Sequence, residues 1–300
     1  MYNSLNEHLK RRFGCKVYKL ALSGGMTCPN RDGTLDTRGC IFCSQYGSGD
    51  FAESSQNNIT NQIENAKLRV KNKIKDGKYI AYFQDFTNTY APVPYLKKIF
   101  TEAINHPDVV ALSIATRPDC LPNDVLELLE ELNKTKPVWV ELGLQTIHEE
   151  TAQYIRRSFD LETFNKAVKD LKAIGVEAVV HMIIGLPNET EEMIYKTAEY
   201  IGKSGAGGIK FHLLHVLKST DLAKDFELSP FNLPTLESYT ELLVGCIKRI
   251  PKDMVVHRLT GDGAKKDLIA PLWSADKKKV LNYINAKFKQ INLNQGELLD

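Results

Sequence analysis

No stretch of this chain is apolar for the ~20 residues that a membrane-spanning helix needs, so no membrane association is expected. The opening residues, MYNSLNEHLKRRFG, lack the apolar core of a secretory leader, and a cytoplasmic location is the expectation. Cysteine is scarce, with six in 300 residues, too few for a disulfide scaffold. Cys15, Cys120 and Cys246 stand alone and read as buried or bystander thiols. Only Cys120 and Cys246 follow Cys43, which argues against a second cysteine-bound centre downstream. Charge of either sign is nearly balanced, at +2 overall, but it is uneven. Residues 1–50 hold seven Lys/Arg against four Asp/Glu, and residues 251–300 hold nine against six. Basic ends permit a polyanionic partner such as RNA, and they equally describe a solvated surface.

What the chain does have is CPNRDGTLDTRGCIFC, residues 28–43, with Cys28, Cys40 and Cys43 in the pattern C-x11-C-x2-C. Thiolates bind zinc and iron–sulfur clusters, and a C-x2-C pair can reach one metal centre from a tight turn. Gly24, Gly25, Gly33, Gly39, Gly47 and Gly49 suit a loop wrapped around such a centre, because glycine tolerates positive φ. A structural zinc site is closed by four ligands, so zinc would need a fourth from elsewhere, such as His8, Asp32 or Cys15. A [4Fe–4S] cluster on three cysteines leaves one iron open.

These three cysteines, with Phe42 before the last, resemble the cluster loop of the radical S-adenosylmethionine (SAM) superfamily. The usual spacing there is C-x3-C-x2-C. The longer first gap resembles the branch containing the catalytic subunit of Elongator, and MTCPNRDGTLDTRGCIFCS is most similar to the bacterial YhcC/YtqA-type family. The resemblance implies that Cys28, Cys40 and Cys43 hold a [4Fe–4S] cluster whose open iron binds SAM. Reductive cleavage of SAM would give methionine and a 5′-deoxyadenosyl radical, with a flavodoxin- or ferredoxin-type electron donor.

Hydrophobic periodicity supplies the frame. A helix is expected over 2–14, a strand over 16–22, a helix over 56–76 and a strand over 79–83. Helices over 93–105 and 122–134 flank a strand over 109–115. A strand over 137–142 is followed by helices over 148–157 and 161–174, a strand over 176–184, a helix over 189–203 and a strand over 208–216. Such alternation implies a parallel sheet with covering helices. Strands such as VEAVVHMII are apolar almost throughout, as burial of both faces requires. Six β/α units fall short of the ~250 residues of a full eight-unit barrel. The expectation is an α/β fold, a partial (β/α)6 TIM-like barrel. Residues 1–15 form an N-terminal helix, 16–218 the barrel, and 219–300 a C-terminal α/β extension closing its open side. That extension carries a helix over 234–250, a strand over 255–259, a turn GDGA and a helix over 276–289, with nothing structured after Gln290.

Chemistry in parallel barrels sits at the C-terminal strand ends, and the remaining motifs fall there. Thr87, Asn88, Thr89 and Tyr90 follow the second strand, where the superfamily's glycine-rich motif holds the SAM amino group; an Asn/Thr turn is the alternative. Thr116 and Arg117 follow the third strand, where Arg117 could hold a carboxylate or pair with Asp119. ELGLQT resembles the family motif E-x-G-x-Q-[ST], which implies SAM contacts from Glu141 and Gln145. Arg156-Arg157-Ser158-Phe159 stands where relatives often have Arg-Gly-His, so Arg157 could contact SAM while no histidine role transfers. Gly185, in IIGLP, resembles the segment that packs on adenine. Lys210, His212, His215 and Arg258 are candidate substrate contacts. Arg11, Arg12, Lys16 and Lys19 precede the cysteine loop and could meet a nucleic-acid backbone or be solvated, as could Lys265, Lys266 and Lys277–Lys279.

The resemblance points to tRNA as partner, and specifically to the C5 side chain of the wobble uridine in its aminomethyl branch. The alternatives are a radical SAM enzyme acting on a small metabolite, and a non-catalytic zinc or RNA-binding module on a barrel.

Overall fold

Most helices begin where a polar side chain takes up a free amide group of the first turn, while those starting at Val93, Asn123 and Glu149 have no such side-chain cap. A computed structural model describes residues 1–45, 47, 52–73, 77–261 and 263–299. Ser4 caps α1 (Leu5–Phe13), and Gly14, at φ 68°, ends it. Then come β1 (Val17–Leu22), α2 (Ile59–Val70), β2 (Lys78–Phe83), α3 (Val93–Asn105), β3 (Val109–Thr116) and α4 (Asn123–Asn133). They are followed by β4 (Val138–Gln145), α5 (Glu149–Tyr154), α6 (Leu161–Ala173), β5 (Glu177–Ile184), α7 (Glu191–Lys203) and β6 (Gly208–Leu213). The chain ends with β7 (Val216–Leu217), α8 (Asp221–Leu228), α9 (Leu236–Lys248), β8 (Val255–Arg258), β9 (Leu268–Ala270) and α10 (Lys277–Gln290). Asp160, Thr190, Thr220 and Thr235 cap α6, α7, α8 and α9 through their side chains. Residues 74–76 of the expected second helix, Gly49 and Asp262 lie outside the described residues.

Seven strands form one sheet in the order β1-β2-β3-β4-β5-β6-β8, every neighbouring pair parallel. The partial barrel therefore stands, with a seventh strand beyond the six anticipated. Strand β8, placed by its sequence in the extension, returns to the sheet beside β6. The outer face of the sheet packs on the helices through residues such as Phe83, Leu112, Leu142, Met182 and Phe211, which meet Ile63, Phe100, Leu129, Phe164 and Leu243. Each such side chain contributes roughly 1.5–3 kcal/mol on burial.

The inner face closes from below. Val17, Ile80, Ala111, Trp139 and Val179 form an apolar floor, and Leu9 of α1 inserts into it. Helix α1 packs on both β1 and β8. The Val256 amide donates to Asn3 O at 2.9 Å. Helix α1 thus packs between the edge strands β1 and β8 at the base of the barrel.

Three local differences have physical causes. The helix expected over 148–157 stops at Tyr154, because Arg156 and Ser158 adopt left-handed φ of 58° and 61°. The strand expected over 208–216 breaks after Leu213, and β7 pairs instead with β9, antiparallel. Residues after Gln290 are packed: Leu293 is buried, Gln295 donates to Met254 O at 2.8 Å, and its Oε1 accepts from the Asn3 amide at 2.8 Å.

Candidate active site

Above the apolar floor the lumen turns polar. Glu141 lies at its centre, fully buried on β4. Oε1 accepts from Lys19 Nζ and from Ser113 Oγ at 2.7 Å. Oε2 accepts from Lys210 Nζ and pairs with His181 Nε2 at 2.8 Å. Lys210 also donates to Tyr82 OH at 3.0 Å, and both lysine ammoniums lie over the Tyr82 ring, Lys19 at 4.8 Å and Lys210 at 4.5 Å. Burial opposes ionisation of Glu141, but Lys19, Lys210 and His181 outweigh it and hold the carboxyl well below its usual range. Burial, with Lys19 and Arg258 beside it, brings the Lys210 ammonium down to about 7. Burial and Lys210 bring His181 down to about 4, so its ring is neutral near pH 7. The carboxylate has no lone pair to spare, and it organises the lumen beneath the reaction space.

The cysteine loop lies across the mouth. Cys28, Cys40 and Cys43 all line a cavity of 170 Å³, together with Thr87, Thr116, Arg117, Gln145 and Arg157, and the cavity reaches down to Glu141, His181, Lys210 and His212. The Arg31 and Asp32 amides donate to Cys28 O at 2.8 and 3.1 Å, and the Cys43 amide to Cys40 O at 3.0 Å, so each end of the cysteine pattern sits on a turn. Gly39 has φ 75°, and a Cβ there would come within 2.8 Å of Arg31 Nε. Arg31 in turn donates to Cys43 O at 3.1 Å and Ser44 O at 2.7 Å. Fully buried Asn30 donates to Arg156 O at 2.8 Å, and its Nδ2 lies 3.7 Å from Cys40 Sγ. Ile41 anchors the loop in an apolar cluster with Ile155, Ile183, Leu214 and Leu222.

The donor set fits a multi-iron cluster better than one ion. The neighbouring Cys43 thiol and burial push the Cys40 thiol well above its usual range, a crowding that a cationic centre relieves. Among the described residues the three sulfurs do not gather within 4.8 Å of one another. Tetrahedral zinc with Zn–S of about 2.3 Å would draw them to about 3.8 Å. Of the conceivable fourth zinc ligands, His8 is on α1 and Cys15 packs on the apolar floor, at the opposite end of the barrel. Asp32 is exposed and accepts from the Thr34 amide.

The other candidates separate into those that reach this cavity and those that do not. Thr87 lines it, with its amide donating to Thr27 O at 3.2 Å. Asn88 and Thr89 turn inward: Asn88 Nδ2 ties Asp85 O (2.8 Å) to Ala115 O (2.9 Å), and Thr89 Oγ1 bonds Thr116 Oγ1 and Cys120 O. Tyr90 lines a separate groove with Leu35, and its hydroxyl meets Thr34 Oγ1 at 2.9 Å. Arg117 pairs with Asp119 through two hydrogen bonds of 2.9 and 2.7 Å. Gln145 follows a register shift in β4 and sits at φ 71°, strained backbone at the rim. Gly185 lies outside the cavity, where a Cβ would come within 2.9 Å of Pro234 Cδ.

An adjoining cavity of 490 Å³ shares Phe42, Cys43, Gln145, His181, His212 and Arg258 with the first and adds His215. His215 Nε2 lies 3.1 Å from Ser274 Oγ, and its ring occupies space left by Gly261 and Gly263. His181 and His212 face each other, with ring centroids 5.0 Å apart.

The sequence reading missed Lys19, Tyr82 and Ser113. Lys19 was grouped with basic residues that could meet a nucleic acid or be solvated, yet it is inside the lumen on Glu141. Alternation along KVYKLAL, with Val17 and Lys19 on one side, carried that signal. Arg12, by contrast, is exposed on α1, its guanidinium 5.8 Å over the Trp139 ring. Arg31 and Phe159 were also missed as lining residues.

Comparison with known proteins agrees with this geometry. A family model described as the Radical SAM superfamily matches residues 37–201, and one described as Radical_SAM C-terminal domain matches residues 206–290. The first match begins after Cys28, so that ligand rests on the loop described above. The chain is 46% identical to YtqA of Bacillus subtilis over 99% of this chain and 92% of that protein. It is 36% identical to YhcC of Escherichia coli over 91% of this chain and 87% of the other. It is 27% identical to a tRNA uridine(34) acetyltransferase of Methanocaldococcus jannaschii over 51% of this chain and 28% of that protein. The solved structure of Methanocaldococcus infernus Elp3 superposes with a TM-score of 0.70 at 18% identity, covering 93% of this chain and 64% of that one.

Proposed function

Because this chain belongs to the radical SAM superfamily, whose members use a [4Fe–4S] cluster and SAM, we propose that it is a tRNA-modifying member acting on the C5 side chain of the wobble uridine, in the aminomethyl branch. The observation that carries the chemistry is the placement of Cys28, Cys40 and Cys43 together on the cavity at the barrel mouth. The cluster and SAM, when bound, supply a 5′-deoxyadenosyl radical for hydrogen abstraction.

The chain's own residues do the rest. Asn30, Arg31 and Ile41 fix the cysteine loop. Thr87, Thr116, Gln145 and Arg157 supply polar contacts for the cofactor around the cavity. The Glu141 network keeps the lumen ordered, and the space beside His212, His215 and Arg258 receives the group to be modified. The likeness to a tRNA uridine(34) acetyltransferase and to the Elp3 fold supports the RNA reading. A cytoplasmic location and a flavodoxin- or ferredoxin-type electron donor go with it.

The test is anaerobic reconstitution with iron and sulfide, reduction with SAM, and chromatography of deoxyadenosine with and without total tRNA. Deoxyadenosine that rises with tRNA is the expected result. The same slow rate with or without tRNA would move the substrate to a small molecule.

A further inference from the structure

The chain has two basic ends, and the fold sends them to opposite ends of the barrel. The N-terminal cations stay at the base, where each has a partner. Arg12 lies over the Trp139 ring and 3.8 Å from Glu177, Lys10 pairs with Glu7 at 3.0 Å, and Arg11 donates to Asn3 Oδ1 at 2.6 Å. Lys19 is taken up inside the lumen by Glu141.

The C-terminal set lies at the mouth. Residues 264–279 hold five lysines against two aspartates. The segment starts at the 490 Å³ cavity, which Gly261 lines, and returns to it at Ser274, whose Oγ is 3.1 Å from His215 Nε2. Pairing of β7 with β9 brings Lys218 to the same surface: its amide donates to Asp267 O at 2.7 Å and its Nζ to Lys266 O at 3.0 Å. Asp276 is engaged as the cap of α10, accepting from the Lys279 amide at 3.1 Å. Lys265, Lys266, Lys278 and Lys279 are exposed, and their ammonium groups have no carboxylate partner among the described residues. Between these two pairs in the chain stands Leu272, 71% exposed.

The chemistry of this surface suits phosphate. Ammonium groups on long, flexible stems act as point charges on phosphate oxygens. The cores of protein–protein interfaces are instead poor in lysine and rich in aromatic residues and arginine. The aromatic residue of this segment, Trp273, is engaged in the fold, its Nε1 donating to Pro234 O at 3.0 Å. We propose that Lys265, Lys266, Lys278 and Lys279, with Lys218, hold the sugar–phosphate backbone of an RNA, so that one nucleotide reaches the cavity beside His215. This rests on the RNA reading of the function and adds where the RNA lies.

The test is equilibrium binding of total tRNA to the reconstituted protein between about 50 and 200 mM salt. Two fourfold variants carry the same change of charge. One replaces Lys265, Lys266, Lys278 and Lys279 by Gln; the other replaces Lys98, Lys169, Lys172 and Lys203, which are exposed on α3, α6 and α7. Iron content and melting temperature confirm that each is folded, and Lys278→Gln/Lys279→Gln stands in if the first is not. The first variant should bind roughly tenfold or more weakly at about 0.1 M salt, and its plot of log affinity against log salt should be shallower by about two to three, because each lost phosphate contact removes about 0.7–0.9 of slope. The second should match wild type. An unchanged slope in the first variant, or equal weakening in both, overturns the proposal and leaves the RNA reading standing. A wild type that binds no tRNA overturns both, and flavodoxin retained by it but not by the first variant then assigns the surface to an acidic protein.

Discussion

The two ends of this barrel are built on opposite principles. The floor is apolar, sealed by Leu9 from α1 over Val17, Trp139 and Val179. The mouth is strained and polar, with left-handed backbone at Phe86, Gln145, Arg156 and Ser158. Around it Asn30, Asn88, Arg157 and His212 each keep a buried polar atom without a hydrogen-bond partner. Strain and unmet polarity cost free energy and persist where the surrounding structure over-determines them, which is the pattern of functional sites. Between the two ends, the Glu141 network is polar yet fully satisfied. Buried polar atoms without a hydrogen-bond partner also occur toward the floor, at His8 and at His257 beside Trp139, so the strained backbone, and not polarity or unmet polarity alone, sets the mouth apart.

Substitutions can break or sharpen that contrast. The largest effect is expected for Cys40→Ala, which should abolish cluster assembly and deoxyadenosine formation while leaving the melting temperature of the cluster-free chain within a few degrees of wild type. Glu141→Gln would leave buried Lys210 and half-buried Lys19 without their carboxylate, and urea unfolding should report a loss of about 3–5 kcal/mol. Leu9→Ala at the floor should cost about 2–5 kcal/mol through the cavity it opens, with cluster content per folded molecule retained.

The pH response follows from His181. Its folded pKa is lowered from 6.5 to about 4, so the unfolded chain binds the proton first. His181 itself costs nothing above pH 6.5; its contribution is lost as pH drops from there to about 4, by about 3 kcal/mol in total. Glu141, also lowered, adds to the loss at still lower pH. His181→Asn should flatten the slope between pH 6.5 and 4 in denaturant titrations. The smallest effect is expected for Gln145→Gly, which relieves φ 71° and should raise stability by about 1 kcal/mol while weakening SAM binding.

Much of this was legible in the sequence. Strand and helix order followed hydrophobic periodicity, and the cysteine spacing located the loop whose three cysteines line one cavity. What could not be read were relations created by curling the sheet. Lys19 meets Glu141 across 122 residues of sequence. Strand β8 joins the sheet from between β7 and β9, which pair with each other outside it, an order that linear alternation does not encode. Helix α8 escaped notice because it buries Leu222 alone, leaving little periodicity to detect. Asn88, Tyr90 and Gly185 sat at the right strand ends in sequence, but loop geometry turned them away from the cavity.

The measurement that tests the central claim most directly is electron paramagnetic resonance of the reconstituted, dithionite-reduced protein with and without SAM, alongside iron, sulfide and zinc content. A reduced [4Fe–4S] signal that changes on adding SAM and is absent in Cys40→Ala is the predicted result. One equivalent of zinc with no cluster signal would contradict the account.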